Sequence, residues 1–118
     1  MIASAPILVG IGGAVGAVLR YAVGQALDDV DTPFPAPTLA VNTLGTFALG
    51  LLTFAGAGDE ALLLFGTGTC GAFTTFSSFS VETVRAWEDG DRAIAVGYAG
   101  GTLVLAGIAL GLAWVLVG

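Results

Sequence analysis

The chain has 118 residues, 56% hydrophobic and 10% charged, against about 25% charged in an ordinary soluble domain, so its composition is that of a membrane protein. Three arginines, no lysine and nine carboxylates leave a net charge of −6, which speaks against a nucleic-acid partner and fits a surface exposed to a high-salt cytoplasm. With no histidine and one cysteine, Cys70, the chain has no parts for an internal disulfide, a zinc site or a nucleophile–histidine centre.

A helix needs about 20 mostly apolar residues to cross a bilayer, and four segments meet that length: 6–27, 37–55, 61–83 and 93–117. They predict an all-α membrane protein, a single four-span transmembrane domain over residues 1–118. The first span is too long, too directly followed by others and too poor in flanking positive charge to read as a cleaved signal peptide. It carries Gly12 and Gly16 four apart, as Gly97/Gly101 and Gly107/Gly111 are later, a spacing that lets helix backbones approach closely in lipid. Arg20, in GAVLRY, is its one deep charge. Such a side chain either snorkels to the interface beside a structural partner, the reading favoured here, or is buried for function.

Pro33, Pro35 and Pro37 stop the first loop from continuing as helix, and Pro37 suits a first-turn position. In the second span, Asn42 of PTLAVNTLGTF lies well inside the apolar run. A buried carboxamide needs partners; it either bridges helices or donates its NH2 to a passing anion.

The third span holds CGAFTTFSSFSVE, residues 70–82, near its midpoint. Gly66, Gly68 and Gly71 weaken a helix there, and Thr74 and Thr75 offer hydroxyls to backbone groups freed by a break. The alternative is a continuous helix whose hydroxyls bond back to preceding carbonyls. GTGTCG, residues 66–71, formally matches a dinucleotide fingerprint, but that motif has meaning only between a strand and a helix. Phe76 and Phe79 share a helical face; they pack, or they present ring edges of partial positive charge to an anion. Glu82 is a mouth residue or a solvated helix end. No internal repeat is visible, and four short helices enclose a solute path poorly, so oligomerisation is expected.

Taken together, GAVLRY, PTLAVNTLGTFALGLL and GTCGAFTTFSSFSVE resemble the Fluc/CrcB family of small fluoride channels over the whole chain. The resemblance implies passive, fluoride-selective export across the cell membrane by an antiparallel dimer with two pores. It also implies a sodium ion at the dimer centre, held by backbone carbonyls. Carried over by position, it assigns Asn42, Phe76 and Phe79 to the fluoride pore, with Thr75, Ser78, Thr38 and Thr102 beside them. The sodium carbonyls would be those of Gly71 and Thr74, and Arg20 and Glu82 would be structural or gating charges. One departure stands out: Ala72 replaces a usual glycine, and alanine tolerates a positive φ poorly.

Two rivals differ in class. A small multidrug-type transporter wants an intramembrane carboxylate, which the first, second and fourth spans lack; a structural helical subunit leaves the polar third span unexplained. An enzyme has no acid–base pair within the membrane to work with. For orientation, Arg20, Arg85 and Arg92 fall on one side, while Asp59 and Glu60 are the charges of the other. Positive residues near span ends set topology, which predicts both termini outside. The partner is then the same chain inserted both ways, or an oppositely oriented homologue.

Overall fold

The computed structural model describes residues 4–118, all of its regular elements helical. Helix α1 is Ala5–Ala26 and α2 is Ala36–Phe54, each with a proline in its first turn, where the missing N–H would have had no intrahelical partner. Helix α3 starts with the turn Asp59–Ala61, continues as π-helix over Leu62–Cys70 and closes with Gly71–Phe73. Thr74 and Thr75 leave the helix, α4 resumes as Phe76–Glu88, and α5 is Arg92–Val117. Helices α1, α2 and α5 are each long and apolar enough to cross a membrane; α3 and α4 together make the interrupted third segment of the chain. The helix ends lie within two residues of the predicted bounds, except that the third segment continues past residue 83 to Glu88.

Two glycines close helices. Gly56 and Gly90 have φ of +76° and +90°. Behind α2, Gly56 N–H donates to Thr53 and Ala57 N–H to Leu52; behind α4, Gly90 N–H donates to Trp87 and Asp91 N–H to Ala86. This paired pattern satisfies the last carbonyls of each helix and needs a left-handed residue, which glycine adopts without strain.

Helix α1 lies along α3, and α2 along α5. The first contact explains one glycine pair. A Cβ on Gly12 would fall on the carbonyl oxygen of Leu64, and one on Gly16 on that of Thr69. From the other side, a Cβ on Gly68 would stand 2.8 Å from the Val9 carbonyl. Backbone meets backbone here, a geometry in which Cα–H groups approach carbonyls. The π-helical turns supply those carbonyls, and Thr69 Oγ1 donates to the Leu64 carbonyl at 2.9 Å. The α5 glycines behave differently from the expectation of close packing. Gly97 meets only the ring of Phe34, at 3.5 Å, and Gly101, Gly107 and Gly111 have nothing within 4 Å. Within one chain those positions are an open surface.

Candidate functional site: a broken helix beside an aromatic groove

The break falls at the two threonines rather than among the glycines that precede them. Thr74 (φ −86°, ψ 162°) and Thr75 (φ −150°, ψ 113°) are extended, a conformation β-branched residues favour. No residue of the break has a positive φ. Ala72 sits inside the closing turn of α3 and is therefore no obstacle to the geometry.

Breaking a helix frees backbone groups that must be satisfied at membrane depth. Asn42 does much of this. Its Oδ1 accepts from Thr75 N–H at 2.7 Å, and its Nδ2 donates to the Thr75 carbonyl at 3.0 Å. One carboxamide thus binds both backbone groups of the same residue, across 33 positions of sequence. A carboxamide has a second N–H, and Asn42 lines the groove described below, so the bridging account and the anion-donor account are compatible. Thr75 Oγ1 caps α4 by accepting from Ser78 N–H at 3.2 Å, with the Ser77 and Ser78 hydroxyls at 3.3 and 3.2 Å. Thr74 Oγ1 donates back to the Cys70 carbonyl at 2.9 Å. Thr75 and Ser78 are thus held by the cap, and neither lines the groove.

Because Thr75 N–H turns to Asn42, the Gly71 carbonyl loses the donor that a continuous helix would bring to it. Gly71 is exposed on the groove wall. The Thr74 carbonyl accepts from the Arg20 guanidinium at 3.4 Å. Arg20 therefore has a structural partner, the free end of α3, where a positive charge also suits the helix dipole.

Three helices each turn one polar or aromatic stripe toward a common line. On α2, Thr38, Asn42 and Thr46 recur every four residues; on α4, Phe76, Phe79 and Glu82 recur every three; on α5, Tyr98 and Thr102 are four apart. Such spacings share a helical face. The inner part of the line is an open groove of about 640 Å³, walled by Asn42, Thr46, Thr67, Phe76, Phe79 and Thr102 among others. The Phe76 and Phe79 centroids are 6.0 Å apart, and Phe76 is 79% exposed, so its ring projects into the opening. The Thr102 hydroxyl is buried with no hydrogen-bond partner among the described residues.

Past Phe79 lies a drier cluster. Thr38 Oγ1 donates to Glu82 Oε2 at 3.2 Å, and the Tyr98 hydroxyl donates to Oε1 at 3.1 Å. Thr38 and Tyr98 are both buried, and the Tyr98 ring stands 5.2 Å from that of Phe79. Glu82 is therefore no free helix end; both carboxylate oxygens are held. Sequence reasoning assigned Tyr98 no role. The signal for a role was present, since a tyrosine hydroxyl inside an apolar span needs a partner.

These features define a polytopic α-helical membrane protein whose third crossing is broken beside a groove of hydroxyls, a carboxamide and phenylalanine rings. A family model described as CrcB-like protein, camphor resistance (CrcB), matches residues 7–118, and the chain belongs to this family. It is 56% identical to fluoride-specific ion channel FluC 2 of Haloarcula marismortui, over 93% of this chain and 91% of that one. FluC 1 of Halobacterium salinarum is 54% identical, over 98% and 96%. FluC 1 of Geobacillus kaustophilus is 46% identical, over 83% and 84%.

Proposed function

We propose that the chain is a fluoride-selective channel that lets fluoride leave the cell passively, and is not an enzyme. The observation that carries this is the groove beside the broken helix. Its spare donors, the second Asn42 N–H and the Thr102 hydroxyl, stand with the Phe76 and Phe79 rings, and no Lys or Arg is among its lining residues. Fluoride is small and strongly hydrated, so a selective path must replace water with close donors while holding the ion weakly enough to release it. Amide and hydroxyl protons and ring edges meet both needs. The names of the relatives support the same ion. The multidrug-type alternative loses ground because Glu82, the carboxylate nearest the membrane interior, has both oxygens engaged.

Purified chain in liposomes should release fluoride and not chloride; equal fluxes of the two would sink the proposal. Phe76→Ile and Phe79→Ile keep bulk but remove the polarised edge, and each should slow fluoride efflux by about tenfold or more, the ratio expected from losing one such contact. Elution on size exclusion should not change. Wild-type flux in both variants would return the rings to packing alone.

The functional unit in this reading is an antiparallel dimer embedded in lipid. Irregular backbone at membrane depth is tolerated only where protein or a cavity covers it, yet Gly71 and the groove are open on one chain. A second copy in inverted orientation would cover both and supply the inverted repeat the sequence lacks. The break also fits a resident sodium ion, since hard cations take oxygen ligands and the Gly71 carbonyl has no helical donor. Gly71 and Thr74 of each chain would hold it, and its charge would offset the acidic surface. Labelling a C-terminal tag from each side of the membrane separates the pairings: equal labelling means one chain inserting both ways, and outside-only labelling means an oppositely oriented homologue.

A further inference from the structure

The line of rings does not end at Tyr98. Phe34, in the loop between α1 and α2, stacks on it with centroids 6.5 Å apart and planes 23° from parallel. We propose that Phe34 closes the loop-side end of the path, so that water and fluoride reach the hydroxyls of Thr38 and Tyr98 only when its ring leaves Tyr98. This rests on the reading of the groove as a fluoride path, and it makes Phe34 a positioning residue rather than an ion ligand.

The two hydroxyl residues of the cluster are polar but dry, while Glu82 between them is half-buried. Tyr98 is 2% and Thr38 7% exposed, although α2 starts only two residues before Thr38 and loop-side water is close. On the groove side the Phe79 ring covers Tyr98; on the loop side Phe34 does. An ion that reaches the hydroxyls of Thr38 and Tyr98 must leave past one of these rings. Phe79 is fixed on α4, whereas Phe34 is the one ring of the line carried by a loop, where backbone motion is least restrained.

Its seat is nevertheless specific. Pro33 and Pro35 flank it, and the proline that follows biases Phe34 away from helical backbone, which sets where the ring rests. The Phe34 N–H donates to Thr32 Oγ1 at 3.4 Å. Under the ring lies Gly97, where an added Cβ would stand 3.5 Å from Phe34 Cε1 and Cζ. A methyl there would touch the ring, and a larger side chain would lift it.

The test reads access rather than flux alone. A Thr38→Cys thiol in a Cys70→Ala background of the full chain is timed against a small water-soluble methanethiosulfonate. Phe34→Ala should speed its modification about tenfold, as loss of one ring pair would allow, and Phe34→Tyr should restore the slow rate. Gly97→Leu, which leaves residue 34 untouched, should speed it as well and decides the matter if Phe34→Ala fails to fold. A thiol that reacts at one rate in all of these overturns the closure. Fluoride efflux is measured on the otherwise wild-type chain in parallel. Absent flux overturns the path reading and the proposal with it, whereas flux with Phe34-independent labelling overturns the closure alone.

Discussion

Replacing Gly16 by valine is expected to leave no correctly folded protein, because the first atom of any side chain there would land on the Thr69 carbonyl oxygen. The obstacle is backbone on a neighbouring helix, so no rotamer change relieves it. Overpacking of a side-chain core typically costs about 1–3 kcal/mol, and more where the neighbour cannot move. Moving here means separating α1 from α3, the helix that leads into the break. Gly12 faces the Leu64 carbonyl in the same way and should behave alike. Gly10 and Gly13, on the same helix, have nothing within 4 Å, and alanine at either should be tolerated, with a gain of about 0.8–1.0 kcal/mol in helix propensity. Monodisperse elution in detergent reads the outcome. A Gly16→Val variant that elutes and melts like wild type would show that the α1–α3 contact is not as close as described.

Asn42→Leu should be nearly as damaging, through a different cause. It keeps the volume and removes both bonds to Thr75, which is 9% exposed, leaving an N–H and a carbonyl unpaired at the break. Each unpaired buried group costs about 1–3 kcal/mol, so about 2–6 kcal/mol is at stake, a large part of the stability of a small domain. Fluoride flux should fall with stability, since the same residue also offers the spare N–H. Asn42→Asp separates the two effects. One carboxylate oxygen can still accept from Thr75 N–H, but the other meets the Thr75 carbonyl, and the donor is replaced by a charge that repels anions. It should therefore fold better than Asn42→Leu yet conduct no better. An Asn42→Asp chain with wild-type flux would remove the carboxamide from the path and leave it a structural clamp.

Arg20 shows how the same chemistry can be structural and electrostatic at once. Its guanidinium donates to the Thr74 carbonyl, the oxygen that the sodium proposal also uses. A carbonyl has two lone pairs, so one donor does not exclude a cation. It does place a permanent positive charge beside the break itself.

Much of this protein was legible before any coordinates. Four apolar runs of membrane length, with prolines and acidic loops between them, determine the helices, because a bilayer permits little else for such segments. The interruption of the third run was legible too, since a concentration of glycine and hydroxyl residues at mid-depth needs some reason to be there. The partners were not. Whether Asn42 bridged helices or faced an ion could not be decided from one helix, because its partner lies 33 residues away and only packing brings Thr75 to it. The glycine pairs looked alike in sequence, yet only the α1 pair meets a backbone; which stripe of a helix is covered depends on the neighbour. Glu82 read by default as a solvated helix end, with a mouth residue as the alternative, until Thr38 and Tyr98, from two other helices, were found on its two oxygens. Phe34 had no signal at all beyond its flanking prolines, because a loop residue has no periodicity to betray the ring it covers. Local spacing determines what a segment can be, and tertiary contact decides what its polar groups are for.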